Sequence, residues 1–575
     1  MINKIKINYR SDIDGMRALA ILGVVLYHFF PNIFVGGFAG VDIFFVISGF
    51  IISRLIFKEI EINEFSLIKF YFRRIKRIIP ALLLILITSI IFGLIFFHPY
   101  ELKSLGENII AATFFYSNLL LMNNIGYFDQ SNDVNILSHL WSLAVEEQFY
   151  IFYPLFIIFF IKFKKFYFLL ISLSFLSILS CLILSKINPV FSFYLPFTRF
   201  WELCFGSILA FLSIKKKQNT QSSYKNIIAF LGLSLLIMFF FFYDEKSIIQ
   251  NSQWPNFYTF IPVIGTGLII FANSTTFTNS KILGNRFMVF IGLISYPLYL
   301  WHWIILVIYR FIENENAIDY KIKTLLILLS FFLSYLTFKF IETPIRSNKT
   351  NQMKHSIYLL ACLFGCGLLG FLFKYTDGLS FRYNIKDLIL YKYNYEKDFR
   401  SNVCHLNSKD TEENFSNVCN DNKKKINVFL FGDSTVAHLY KGLSISLEPH
   451  IYGLSQYTSF GCPPIKDFKH PTLKNCYDTN NFVLKKIIST KPEVVVMSTT
   501  TAKMNKQLIN SFLDTAEYLK KNGIKKIIIV GTNLYFTDRL QNILAKSIKT
   551  IPNNYFIKRG VPKNNNDYLI ENEAK

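Results

Sequence analysis

Asp14-Gly15-Met16-Arg17-Ala18-Leu19-Ala20-Ile21-Leu22-Gly23-Val24-Val25-Leu26-Tyr27-His28-Phe29-Phe30 is the first long apolar run of the chain. Two of its side chains are poorly suited to lipid. An arginine at the centre of a spanning helix costs about 2.5–3.5 kcal/mol on insertion scales, so it normally faces protein or a wet cavity. The spacing from Arg17 to His28 is about three helical turns, which returns both side chains to nearly one face. Histidine exchanges a proton near neutral pH, and arginine holds an anion. The run therefore reads as a membrane-buried helix, and the pair is expected to face one intramembrane cavity where chemistry takes place.

The rest of the chain agrees with a membrane setting. Of 575 residues, 52% are hydrophobic, with 62 Phe and 32 Tyr, and only 17% are charged. Average soluble proteins carry roughly 25% charged residues. Apolar runs long enough to cross a bilayer fall near 15–33, 38–57, 78–97, 139–161, 166–185, 199–214, 226–243, 257–272, 287–309, 321–341 and 356–373. Basic residues cluster in alternate loops, at Lys4/Lys6/Arg10, Lys58 to Arg77, Lys162 to Lys165, Lys215 to Lys217, Lys281/Arg286 and Arg346 to Lys354. That alternation places the N-terminus in the cytoplasm and everything after the eleventh run outside it. It also accounts for the net charge of +23 as topology, so nucleic acid is not an expected partner. No small-residue cleavage site follows the first run, so a cleaved signal peptide is not expected.

After about residue 425 the pattern changes to alternating strands and helices. Ile426-Asn427-Val428-Phe429-Leu430-Phe431, Val494-Val495-Val496-Met497 and Ile527-Ile528-Ile529-Val530 read as buried strands, with an amphipathic helix around 505–521. Such alternation predicts a parallel sheet with functional loops at the strand ends. Of the eight cysteines, Cys181, Cys204, Cys362 and Cys366 lie in apolar runs, and Cys404, Cys419, Cys462 and Cys476 lie beyond them. Four cysteines allow three pairings; the sequence-local choice is Cys404–Cys419 with Cys462–Cys476, which implies an oxidising compartment. A structural zinc site is the rival, without CxxC spacing or paired histidines to support it, and no metal is expected.

Polar groups recur inside other apolar runs. They are Asp42 and Ser48 in Val41-Asp42-Ile43-Phe44-Phe45-Val46-Ile47-Ser48-Gly49-Phe50, and Glu146 and Glu147 in Trp141-Ser142-Leu143-Ala144-Val145-Glu146-Glu147-Gln148-Phe149-Tyr150. A third group is Ser295-Tyr296-Pro297-Leu298-Tyr299-Leu300-Trp301-His302-Trp303. Together with Arg17-x10-His28 and Ile341-Glu342-Thr343-Pro344-Ile345-Arg346, these ordered motifs resemble acyltransferase family 3 of integral membrane proteins over residues 8–350. The resemblance implies about ten core spans and transfer of an acyl group, usually acetyl, from cytoplasmic acyl-CoA to an extracytoplasmic glycan. It implies a role for His28 as general base or acyl acceptor, with Arg17 stabilising negative charge. Glu146 or Glu147 would orient the histidine or relay its proton. Arg73, Arg74 and Arg77 match the family's basic motif and would grip coenzyme A phosphates. Asp42, Ser48, Tyr299 and His302 complete the expected substrate-binding set.

Phe431-Gly432-Asp433-Ser434, at the end of a strand, resembles the first block of SGNH (GDSL-like) hydrolases. The resemblance implies Ser434 as nucleophile and Gly461, in Gly461-Cys462-Pro463-Pro464, as a second oxyanion donor. The family's late Asp-x-x-His block has no counterpart, because no histidine follows His470. Asp467-Phe468-Lys469-His470 has the spacing but lies before the middle strands. Ser498-Thr499-Thr500-Thr501 stands where the Asn block belongs. With about three recognisable strands and a Ser434 that lacks its base, the expectation is a domain cut short, the alternative being one no longer fully catalytic.

The organisation read from the sequence is a membrane domain at 1–350, a linking span at 351–373, a linker at 374–424 and an extracytoplasmic α/β domain at 425–575. The leading functional expectation is a bacterial inner-membrane O-acyltransferase acting on an envelope polysaccharide such as lipopolysaccharide O-antigen. Peptidoglycan or exopolysaccharide acetylation is the alternative, and a glycolipid flippase is the reading of a different class. Acetyl-CoA would be the donor substrate, an envelope or lipid-linked glycan the acceptor and lipid the surroundings, with no permanently bound cofactor.

Overall fold

The computed structural model describes residues 9–124, 135–161, 166–215, 223–243, 254–313, 318–347, 351–382, 395–408, 410–470, 473, 475–499 and 506–531. They belong to two compact units, Met1–Arg382 and Tyr383–Lys575.

The first unit is a helical bundle, and each of the eleven apolar runs is helical in it. Among the described residues, eight helices are long and apolar enough to cross a membrane, or nine when a bent pair counts as one span. The helices that position the site are α1 (Ser11–Phe29), α2 (Gly40–Glu61), α3 (Leu67–Phe96), α4 (Leu140–Phe160) and α5 (Pro196–Lys215). The bent pair, α6 (Arg286–Leu293) and α7 (Ser295–Glu313), turns by 64° at Ile294. Pro297 lies in the first turn of α7, where its missing N–H and fixed φ suit a new helix start but not a continuous one. α3 begins well before the run at 78–97, so the basic cluster Arg73–Arg77 is helical.

α2 and α5 cross closely because glycine allows it. A Cβ on Gly49 would fall 2.0 Å from the Leu203 carbonyl oxygen, and one on Gly206 would fall 2.1 Å from that of Val46. Small residues at a helix crossing let backbones pack where lipid provides no hydrophobic drive.

The second unit is a five-stranded parallel sheet in the order β1-β3-β2-β4-β5. Its strands are β1 (His405–Leu406), β2 (Ile426–Gly432), β3 (Tyr452–Ser459), β4 (Val494–Ser498) and β5 (Lys526–Ile529). Alternate residues of β2 feed opposite faces: Phe429 and Phe431 pack with Tyr457, Val495 and Met497, while Val428 and Leu430 pack with Leu454, Val496 and Val436. The structure corrects the expectation of three strands. β3 escapes an apolar search because Ser455, Gln456, Thr458 and Ser459 are buried polar residues, the first three of which bond to neighbouring segments. Within the stretch read as a linker, His405–Leu406 is the sheet's edge strand, held beside it by the Cys404–Cys419 disulfide. The other expected disulfide, Cys462–Cys476, also forms.

Candidate active site

An open cavity of about 100 Å³ lies among α1, α2, α3, α4 and α7. Its lining includes Arg17, Ser48, Arg74, Arg77, Glu146, Tyr150, Ser295 and Tyr299 among apolar residues. Arg74 and Arg77 of α3 both line the cavity, whereas Arg73, which the helical period alone would also place near Arg77, pairs with Glu59 at 2.9 Å instead. Ser295, Tyr299 and His302 follow one another on one face of α7, with the first two reaching the cavity.

The cavity is electrostatically lopsided. Three guanidinium groups line it, against one carboxylate, Glu146. Glu146 Oε2 accepts hydrogen bonds from Ser48 Oγ at 3.1 Å and Tyr150 OH at 2.9 Å. Arg17 is partly balanced by Asp14, 3.2 Å away on the preceding turn. Arg74 Nε and Ser295 Oγ have no hydrogen-bond partner among the described residues. Buried donors of this kind favour an anion with several acceptor oxygens, and a phosphate suits guanidinium geometry.

His28 is not part of that lining, which corrects the expectation of a shared cavity. Eleven residues of helix bring two side chains to one face but also separate them by about 16 Å along the axis. Arg17 therefore lies at one end of α1 and His28 at the other. At that second end, His28 Nδ1 lies 3.0 Å from His302 Nε2, with the rings stacked at 5.2 Å, and the Trp303 edge sits 4.8 Å from the His28 ring. His302 is fully buried, and its Nδ1 is 3.0 Å from the Leu298 carbonyl oxygen. His139 lies beside them, with ring centroids 5.5 Å from Tyr299 and 6.3 Å from His302. The two ends are linked through Tyr299, whose hydroxyl is 2.7 Å from Ser142 Oγ and donates to the His139 carbonyl oxygen.

Other expected site residues are placed apart from both ends. Neither Glu146 nor Glu147 bonds to His28; Glu147 is buried outside the lining, within electrostatic reach of Arg74. Asp42 is sealed in protein, where Arg199 Nη2 meets its Oδ1 at 2.6 Å and Arg199 Nε meets Glu202 at 3.2 Å. The Arg199 guanidinium also lies 5.4 Å from the Phe45 ring centre and 6.0 Å from that of Trp141. Arg199 and Glu202 were missed by sequence reasoning, although an arginine inside an apolar run was the very signal that singled out Arg17. The difference is that Arg199 meets two carboxylates where Arg17 opens onto a cavity.

In the sheet unit the chain switches sides of β2, taking β3 on one edge and β4 on the other. Crevices form at such switch points beyond the carboxyl ends of strands, and Ser434 stands there, first in the helix Ser434–Ala437. Asp433 caps that helix through the Thr435 amide at 2.8 Å and accepts from Thr499 Oγ1 at 2.7 Å, which ties the ends of β2 and β4 together. Thr500 and Thr501 lie outside the described residues. Asp467 pairs with Lys466 at 3.1 Å, and His470 Nδ1 accepts the Leu473 amide at 3.1 Å. Gly461 follows β3 with φ +59°, the left-handed turn that glycine favours. His438, one turn beyond Ser434, is held below its ordinary pKa by burial.

The two units thus combine a multi-pass membrane bundle, carrying an anion-suited cavity and a histidine cluster, with a parallel-sheet domain presenting a serine at its switch point. The chain belongs to the acyltransferase domain family, whose pattern matches residues 10–341, and residues 403–566 match the SGNH domain that occurs fused to such domains. It is 33% identical over 350 residues to peptidoglycan O-acetyltransferase OatA of Listeria monocytogenes serovar 1/2a, over 59% of this chain and 56% of that protein. Over 353 residues it is 31% identical to O-acetyltransferase OatA of Staphylococcus aureus strain NCTC 8325, over 59% of this chain and 57% of the relative. The match therefore spans a little over half the length of these relatives. A solved structure, the periplasmic domain of the Salmonella ser. Paratyphi A lipopolysaccharide acetyltransferase, is similar at 29% identity and a TM-score of 0.24, covering 29% of this chain and 68% of that one.

Proposed function

We propose that this protein is a membrane O-acetyltransferase that moves an acetyl group from cytoplasmic acetyl-CoA to a hydroxyl of an envelope polysaccharide, with peptidoglycan as the favoured acceptor. The observation that carries the reading is the division of α1 into a guanidinium end and a histidine end. Arg17, Arg74 and Arg77 would hold the phosphates of coenzyme A at the cytoplasmic end. The long pantetheine arm would carry the thioester along the cavity toward His28. There His28 would take the proton of the acceptor hydroxyl as its oxygen bonds to the acyl carbon. The carbon–sulfur bond breaks, and that proton finally neutralises the coenzyme A thiolate. The relative from Listeria named for peptidoglycan supports the choice of acceptor over lipopolysaccharide O-antigen. If the hydroxyl acetylated at His28 belongs to an intermediate carrier, Ser434, at the sheet's switch point, would take the acetyl group from it outside the membrane, release the carrier hydroxyl and pass the group to the polysaccharide.

Mass spectrometry of muropeptides and of lipopolysaccharide from cells carrying wild type, His28→Ala or Ser434→Ala tests this. Loss of muropeptide acetyl groups with His28→Ala, the glycan itself remaining, is the expected result. Loss confined to lipopolysaccharide would move the acceptor, and unchanged acetylation would remove His28 from the reaction. Loss of the surface glycan altogether would favour a flippase.

A further inference from the structure

His302 is fully buried and makes two ring contacts that leave little choice of protonation. Its Nδ1 lies 3.0 Å from the Leu298 carbonyl oxygen, and a carbonyl only accepts. The neutral ring therefore carries its hydrogen on Nδ1 and a lone pair on Nε2. That lone pair lies 3.0 Å from His28 Nδ1 and takes its hydrogen. With both rings neutral, the remaining lone pair of His28 is on Nε2. The Leu298 carbonyl thus dictates the reactive face of a histidine on another helix, through one intervening ring.

We infer that His302 is a positioning residue that fixes His28 in the tautomer whose Nε2 is the base. The inference rests on the proposed role of His28. It assigns to a neutral imidazole the part that a buried carboxylate plays in a serine-protease triad, where the third group holds the histidine in its tautomer and orientation. The two orienters differ in one respect. A carboxylate supplies a countercharge to the imidazolium, and a neutral ring does not. Proton uptake by His28 Nε2 is therefore only weakly held, which suits a base that must return its proton to the departing thiolate. Protonation of His302 would turn its Nε2 from acceptor to donor and break the relay. The other titratable or charged groups facing the pair are His139 from the segment before α4, Arg310 and Tyr299 from α7, and Tyr27 from α1. They are common to every variant below.

The test measures acetyl transfer against pH with the full-length protein in lipid nanodiscs. The pair shares one hydrogen bond of 3.0 Å, so a first proton abolishes activity and opposes a second, and the acid limb of log(kcat/KM) is expected to have a slope of 1 in wild type. His302→Gln keeps an acceptor, Oε1, for the His28 Nδ1 hydrogen and should retain kcat within about tenfold. His302→Leu removes the acceptor and should lower kcat by about 100-fold or more with KM for acetyl-CoA within about twofold, as tautomer loss does elsewhere. Equal loss of kcat in His302→Gln and His302→Leu, or wild-type activity in His302→Leu, would overturn the inference while leaving the role of His28 intact. Retained activity in His28→Ala would instead remove the reading on which it rests. Should His302→Leu fail to fold, His302→Met, which keeps the length of glutamine without its acceptor, decides in its place.

Discussion

Arg199→Leu is the perturbation whose cost follows most directly from the structure. Arg199 meets Asp42 at 2.6 Å and Glu202 at 3.2 Å, and all three side chains are almost completely buried. At an effective dielectric of about 20, those contacts are worth roughly 6 and 5 kcal/mol in gross Coulomb energy. Desolvation of each ion offsets several kcal/mol of that sum. The net worth of the cluster is therefore small, but removing one member is not a small change. It leaves two carboxylates buried without their cation, a class of change that costs about 3–5 kcal/mol. At about 2 °C per kcal/mol, the apparent melting temperature in detergent should fall by roughly 6–10 °C. The same contacts join α2 to α5, and Ser48 of α2 holds Glu146 in the cavity, so acetyl transfer should fall with stability. The decisive comparison is the triple variant Asp42→Leu, Glu202→Leu, Arg199→Leu. Replacing a whole buried ion set by apolar residues is often neutral or stabilising, so the triple variant should recover most of the loss. The reasoning fails if Arg199→Leu melts within about 1 °C of wild type, or if the triple variant is less stable than the single one.

Three further outcomes are expected. Arg74→Ala should raise KM for acetyl-CoA by roughly 10–150-fold, the value of one charged hydrogen bond of about 1.5–3 kcal/mol, whereas Arg73→Ala, whose side chain pairs with Glu59, should change it little; substrate titration of both variants checks this. Gly49→Leu should prevent α2 and α5 from packing, since even a Cβ would meet the Leu203 carbonyl oxygen at 2.0 Å; folded yield on gel filtration should collapse, while Gly442→Ala, with open space around it, should behave as wild type. The sheet unit should weaken in acid, because burial pushes His405 down to about 4 from the ordinary value of 6.5. The unfolded chain then binds more protons between those values, so stability falls as pH drops through that window, by on the order of 3 kcal/mol, and levels off below it. Hydrogen exchange of the full-length protein over residues 405–459 should show this loss and should lose its pH dependence in His405→Phe.

Much of this architecture was legible in the chain. The apolar runs fall on helices among the described residues, eight or nine of them of spanning length, and sequence locality chose both disulfides. β3 was hidden because several of its buried positions are polar, with Ser455 and Gln456 bonding to neighbours distant in sequence, which a hydrophobic pattern does not register. The same limit applied to Asp42, which by sequence alone resembled Glu146, another carboxylate in an apolar run. Only the folded chain separates them: one is closed off by Arg199 and the other lines a cavity.

The sequence by itself determined that Arg17 and His28 share a face of one helix, since the helical period requires nothing beyond the spacing. Tertiary structure decided what each one faces. Arg17 shares its cavity with residues of α3 and α4, while His28 meets His302 of α7, more than 270 residues along the chain. A repeat of 3.6 residues specifies direction around an axis, but the company a side chain keeps at its depth is set by helices that arrive from elsewhere.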